Sequence, residues 1–288
     1  MPPSIKKQIP TANPKRKVGG SVVDRIGEYD FDQPEGIKIL IYGKSKTGKS
    51  RTIATFPGPI LWIICSGGNK SGELRSIPLE HRKKIKAVTV NSSMEVRTLI
   101  EHARDSGLYK TVALDHGTGL QDRVLAEILK VDELPAQMKW GTASRDQYMD
   151  AGTQCRELFR MLLSLSCNVV IAGQERAPKD VGDDNEMLLP TVGVELMPSL
   201  AGWLHPAVDF IVQTFKKQKT IVKTSKINGK DVNIEVAVPG ADFCLRTGPH
   251  GIYNTGFRTP IDNAPDYIVN PSYDKIMQIV NGTYKGTK

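Results

Sequence analysis

The tract Gly43-Lys44-Ser45-Lys46-Thr47-Gly48-Lys49-Ser50 meets the spacing G-x-x-x-x-G-K-[ST] at every position, and it constrains the fold more than any other feature of the chain. At average residue usage a chance match in a chain of this size arises on the order of once in a hundred. The tract follows the short run Ile37, Ile39, Leu40, Ile41, Tyr42, which is rich in β-branched residues and bounded by Gly36 and Gly43. That run reads as a buried strand. A short helical stretch ending at Phe56-Pro57 comes next. Strand, glycine-rich turn and helix in this order make a phosphate cradle. Gly43 and Gly48 let backbone N–H groups converge on phosphate oxygens, Lys49 neutralises β- and γ-phosphates, and the Ser50 hydroxyl can ligate Mg²⁺. Lys44, Ser45, Lys46, Thr47 and Arg51 complete the turn, with Lys44 and Lys46 read as solvated rather than catalytic.

Runs like the first recur at Ile60–Cys65, Ile85–Val90, Thr111–Leu114 and Asn168–Ala172, each too short for a typical helix. Helical spacing lies between most of them. Met94, Leu99, Ile100 and Ala103 share one face, as do Leu120, Val124, Leu125 and Ile128, and a longer helix beginning near Ser144 carries Leu158, Phe159, Leu162 and Leu165. Strands alternating with helices imply an α/β fold, a mainly parallel sheet flanked by helices. Beyond Phe215 the pattern changes: Thr220–Ser225 and Val232–Val238 alternate around Asn228-Gly229, which suits the turn of a β-hairpin. Tyr273 to Val280 can form one short helix. The expected domains are therefore a disordered basic arm over 1–20, a nucleotide-binding core over 21–215, and a β-rich extension with a short helix over 216–288.

The net charge of +8 on 288 residues is unevenly placed. Residues 1–20 carry five Lys or Arg and no acid, residues 216–288 carry eleven against six Asp or Glu, and the section between is −2. The basicity sits at the ends, compatible with a polyanionic partner and equally with a solvated charge excess. No apolar run approaches the ~20 residues of a membrane span, so a soluble cytoplasmic protein is expected. Cys65, Cys155, Cys167 and Cys244 show no metal-ligand or disulfide-framework spacing and read as inert thiols.

A phosphate cradle needs a second acidic group for the metal, and Asp115 closes the run Thr111-Val112-Ala113-Leu114. It reads as the Mg²⁺ carboxylate, with a helix cap as the alternative, a job open also to Thr118. His116 reads as a local hydrogen-bonding residue. With this order of parts, ending in a strand that runs into Gly173-Gln174, the chain resembles the RecA-like branch of P-loop ATPases. More closely it is similar to phage nucleotide-binding proteins of the AAA type, including RecA-like single-strand annealing proteins, over about residues 36–260.

The resemblance implies ATP and Mg²⁺ as cofactors, catalytic roles for Lys49 and Asp115, and a γ-phosphate sensor at Gln174 opening a DNA-binding loop over about Glu175 to Val192. It implies single-stranded DNA as partner, a single-strand binding protein as another, and a homo-oligomer with nucleotide sites at subunit boundaries, in the host cytoplasm if the chain is phage-encoded. Such ATPases carry a water-polarising Glu just past the second strand, whereas this chain reads Cys65-Ser66-Gly67-Gly68. Either the loop returns Glu73 to the γ-phosphate, or hydrolysis is slow and ATP acts as an assembly switch. A cation acting on a neighbour's nucleotide is expected at Arg258, with Arg246 the other candidate; a surface salt bridge is the bland reading of both. Trp140 with Lys139, Arg145 and Tyr148 reads as a stacking and phosphate-contacting cluster or as core aromatics, and Lys216, Lys217, Lys219 and Lys223 add sequence-independent attraction. A recombination or annealing ATPase is the leading reading. A ring helicase or loader motor, and a nucleotide-switched interaction module without DNA, are the alternatives; a small-substrate kinase lacks an acceptor or lid motif.

Overall fold

The computed structural model describes residues 36–65, 73–132, 134, 143–176, 192–227, 230–258 and 264–285, with the backbone alone at 73, 226, 227 and 230. The basic arm, the Gly67-Gly68 loop, Lys139, Trp140, most of the loop after Gln174 and the Asn228-Gly229 turn lie outside the described residues.

In chain order the elements are β1 (Lys38–Gly43), α1 (Lys49–Ile53), β2 (Ile60–Ile64), a 3-10 turn (Glu73–Ser76), α2 (Leu79–Arg82), β3 (Ile85–Thr89), α3 (Ser93–Ser106), β4 (Thr111–Asp115), α4 (Gly117–Leu129) and α5 (Arg145–Leu163). They continue with β5 (Asn168–Gln174), α6 (Pro198–Ala207), β6 (Phe210–Ile227), β7 (Lys230–Arg246), β8 (Gly256–Phe257), β9 (Tyr267–Val269) and α7 (Tyr273–Val280). One mixed sheet runs β3-β2-β4-β5-β1-β6-β7-β9, with β8 added along β6. The six strands from β3 to β6 are parallel to one another, and the rest pair antiparallel. This is the α/β fold of a P-loop NTPase with a hairpin extension.

Side chains of a strand alternate between faces, and here each face has its own core. Leu40 and Tyr42, Leu61 and Ile63, Val112 and Leu114, Val169 and Ile171 pack under α3 to α6. Ile39 and Ile41, Trp62 and Ile64, Ala113, Val170 and Ala172 pack against α1 and α7. The same parity turns Asp115, two residues beyond Ala113, toward the α1 face.

Local sequence explains the helix ends. Ser144 caps α5 in a reciprocal capping box with Gln147, and Ser92 caps α3 by accepting from the Glu95 amide. α7 is held to the core by Ile276 and Ile279, both fully buried, by stacking of Tyr273 on Phe56 with ring centroids 5.0 Å apart, and by the Tyr273 amide donating to Thr55 Oγ1 at 2.8 Å. Each such isoleucine contributes about 1.5–3 kcal/mol by burial.

Several expectations change. Met94 is 64% exposed and Val96 takes its place in the buried face of α3, because the buried stripe runs through Val96, Ile100 and Ala103 and starts two residues after Met94. β3 is an edge strand, with its middle three residues exposed, rather than a buried one. α6 carries Pro198 at its first turn and Pro206 near its end, punctuation that hides a helix from pattern reading. β6 runs without a break from Phe210, paired with Ile39 of β1, through Phe215 to its last pair, Ile227 with Lys230.

Candidate nucleotide-binding site

Gly43 and Gly48 bracket a turn at the C-terminal end of β1. Gly48 has φ +102°, and a Cβ there would lie 2.7 Å from Phe243 Cδ1; at Gly43, with φ +155°, a Cβ would lie 2.3 Å from Thr214 Oγ1. Only glycine fits either place. The turn is stitched to the neighbouring strand by Thr47, whose Oγ1 donates to the Lys44 carbonyl at 2.7 Å and meets Thr214 Oγ1 at 2.7 Å. Lys49 Nζ donates to the carbonyls of Gly43 and Lys44 at 2.7 and 2.9 Å, arched over the turn where phosphate oxygens would replace those acceptors. Burial lowers its pKa, opposed by the charges of Asp115 and Glu175. Lys44 and Lys46 are exposed, and the Arg51 guanidinium lies over the Phe243 ring at 5.3 Å.

Asp115 is buried at the end of β4, where Trp62 Nε1 donates to its Oδ2 at 3.2 Å and the Ser50 side chain hydrogen-bonds it. Burial raises its pKa, against the Trp62 bond, the charge of Lys49 and the Ser50 bond. One carboxylate and one hydroxyl, brought together from β4 and α1, are hard oxygen donors, and Mg²⁺ takes one or two such protein ligands while keeping waters and phosphate oxygens. The donor set therefore fits Mg²⁺ with nucleotide. No group of three or more His, Cys, Asp or Glu poised for a metal occurs among the described residues.

The family model of an AAA domain matches residues 35–232, spanning this turn, Asp115 and the strands that carry them. The chain belongs to that family, and with it to the P-loop ATPases. No curated protein matched the sequence.

Within this AAA domain, β5 is interposed between β1 and β4, so that Gln174 stands level with Gly43. The Gln174 amide meets His116 Nε2 at 3.1 Å, while His116 Nδ1 accepts the Gly119 amide at 2.8 Å and caps α4. Gln174 Nε2 faces His116 Nε2; a neutral ring that accepts at Nδ1 carries its proton on Nε2, so this pair hydrogen-bonds when the Gln174 amide is assigned with its oxygen toward the ring. His116 is the local hydrogen-bonding residue expected, and it links the end of β5 to the end of β4.

Arg258 stands elsewhere. Its guanidinium is 3.7 Å from Asp209 Oδ1, and Asp209 Oδ2 accepts the Lys38 amide at the start of β1, the opposite end of the strand from Gly43. Arg258 does not approach this chain's own phosphate turn. Glu73 opens the 3-10 turn, and its side chain lies outside the described set. Arg145 and Tyr148 are exposed at the start of α5, while their expected partners Lys139 and Trp140 are not described.

Four residues of the site escaped pattern reading: Trp62, Thr214, Phe243 and Gln213. Gln213 is 4% exposed, and its Nε2 donates to Glu175 Oε2 at 2.8 Å. A signal existed in the polar pair Gln213-Thr214 inside the apolar run Phe210 to Phe215. No helix among the described residues is long and apolar enough to cross a membrane.

Proposed function

We propose that the protein is a RecA-like ATPase that binds single-stranded DNA and assists phage recombination or strand annealing as an oligomer. The observation that carries this reading is the strand order at the site. A strand ending in a polar sensor candidate, Gln174, separates the phosphate-turn strand from the Asp115 strand and reaches His116 at the head of α4. Lys49, Ser50 and Asp115 then hold ATP·Mg²⁺, with Lys49 on the phosphates and Ser50 and Asp115 on the metal. Bound Mg²⁺ supplies charge neutralisation of the β,γ-phosphates.

For DNA, the outer part of the β6–β7 hairpin supports the reading. Lys216, Lys217, Lys219 and Lys223 are exposed along β6, and apolar Val222 beside them is 63% exposed. Exposed lysines with aliphatic side chains between them suit a flexible polyanion, and the attraction weakens with salt. The ends of the segment after Gln174 are drawn together, since the Arg176 amide donates to the Gly193 carbonyl at 2.9 Å and the Glu195 amide to the Gln174 carbonyl at 2.7 Å. A DNA-binding loop there would report directly on the sensor strand. Arg258, 63% exposed at the far end of β1, would serve only a neighbouring subunit's nucleotide.

Fluorescence polarisation of labelled single-stranded DNA, with and without ATP·Mg²⁺ across a salt series, tests the DNA role; the absence of binding at low salt would refute it. An ATPase assay with no DNA, single strands and duplex, with Lys49→Ala as control, tests the enzyme. Vigorous turnover stimulated by DNA would favour a motor, and nucleotide-dependent oligomers without DNA affinity an interaction switch.

A further inference from the structure

We propose that Glu175 is the carboxylate that orients and deprotonates the attacking water, and that Gln213 and Arg246 are positioning residues that hold it. This rests on the ATPase reading above and names a residue that the family resemblance does not supply. The usual position past the second strand holds no acid, since Cys65 is followed by Ser66-Gly67-Gly68. The residue after Asp115 is His116, engaged in capping α4. Asp115 itself is bound to Ser50 and Trp62. Among the carboxylates whose side chains are described, Glu175 lies one residue beyond the point where β5 stands level with Gly43. Its charge is felt at Lys49, alongside that of Asp115.

The apparatus around Glu175 is what an exposed loop carboxylate would not need. Its backbone forms a bridge with Val194, closed on either side by the bonds of Arg176 to Gly193 and of Glu195 to Gln174. One carboxylate oxygen accepts from the buried amide of Gln213. The other end of that amide, Oε1, accepts from Arg246 Nε at 3.3 Å. Gln213 and Arg246 are directly paired across β6 and β7. The Arg246 guanidinium is clamped between two rings, 4.8 Å from the Phe215 centroid and 4.6 Å from that of Tyr253. An arginine fixed by two aromatics orients an amide, and the amide orients the carboxylate. This leaves Arg246 bound within its own subunit rather than offered to a neighbour.

In the step, the water oxygen attacks the γ-phosphorus while its proton passes to the Glu175 carboxylate. The bond from the γ-phosphorus to the β,γ-bridging oxygen breaks, and ADP departs with that electron pair. The proton then leaves Glu175 for solvent, so that ATP and water become ADP, phosphate and one proton. General-base assistance of this kind is worth about 10²–10⁴-fold.

The test uses the full chain, measuring steady-state ATPase and the affinity of a fluorescent ATP analogue for wild type, Glu175→Gln, Gln213→Leu, the double variant and Glu73→Gln. Glu175→Gln is expected to lower kcat about 100-fold or more with analogue affinity within about threefold, and the retained binding reports a folded site. Gln213→Leu is expected to lower kcat about tenfold with KM unchanged, and the double variant to match Glu175→Gln alone, since the amide acts through the carboxylate. Additive losses, or a KM change alone, would reduce Gln213 to a structural role and overturn the positioning chain. Turnover retained in Glu175→Gln but lost in Glu73→Gln would overturn the assignment while leaving the ATPase reading intact. A wild type without any Lys49-dependent turnover would overturn both.

Discussion

Trp62 offers the sharpest test of how the metal site is built. Its indole is fully buried, and Nε1 donates to Asp115 Oδ2 at 3.2 Å, in a place where burial alone would drive the carboxyl toward its neutral form. Trp62→Phe keeps an aromatic ring in the core and removes that donor. A hydrogen bond to a charged group contributes about 1.5–3 kcal/mol, and the lost ring leaves a cavity worth about 1 kcal/mol. The sum, about 2.5–4 kcal/mol, corresponds to a fall in Tm of about 5–15 °C for a domain near this size. Urea unfolding without nucleotide or Mg²⁺, repeated in an Asp115→Ala background, isolates the bond: the cavity cancels in the cycle and a coupling of about 1.5–3 kcal/mol remains. There is a functional corollary with a definite sign. Burial already raises the Asp115 pKa and the Trp62 bond opposes it, so the variant protonates more readily, and the Mg²⁺ concentration needed for nucleotide binding rises more at pH 6 than at pH 8. An identical cost of Trp62→Phe in both backgrounds would refute the reasoning.

Gly48→Ala meets two obstacles, φ of +102° and a Cβ 2.7 Å from Phe243. A loss of about 2–4 kcal/mol in urea unfolding is expected, with nucleotide affinity lost as well, and Phe243→Ala should recover the crowding but not the backbone strain. Burial pushes the Cys155 thiol up to about 12 from 9.0 and raises the Cys65 thiol further still. Neither should react with a thiol reagent at pH 8 in the native state, whereas the partly exposed Cys167 reacts first. Because the folded state holds those protons more tightly, their contribution to stability is complete below about pH 9 and is lost as pH rises toward 12, with a slope of about 1.4 kcal/mol per pH unit for each thiol. Deleting residues 1–20, which carry five basic side chains and no acid, should weaken single-strand binding and flatten its salt dependence by up to about 3.5 in log–log slope, while ATP affinity stays within twofold.

Much of the architecture was legible because the signals were local. The apolar runs at Ile37–Tyr42, Ile60–Cys65, Thr111–Leu114 and Asn168–Ala172 became β1, β2, β4 and β5 within a residue or two. Ser144 marked the start of α5, and Tyr273–Val280 matched α7. Where reading failed, a distant partner had decided the outcome. Met94 fits a helical stripe, but no element among the described residues covers the place it points to. The Ile85–Val90 run looks like a buried strand until its position at the sheet edge is known. The charge boundary near Phe215 gave no sign that one strand crosses it, because pairing with β1 on one side and a hairpin partner on the other leaves the strand's own spacing unchanged.

The same division holds at the site. Spacing alone determined that residues 43–50 form a phosphate cradle and that Asp115 ends a strand, since glycine freedom, a lysine and a hydroxyl at set intervals are properties of a short segment. Strand order and register decided which side chains meet: Trp62 with Asp115, Phe243 with Gly48, and Glu175 with Gln213 and Arg246. Those residues lie tens to more than a hundred positions apart, and no local pattern records their pairing. Only the assembly of the sheet gives each carboxylate its donors.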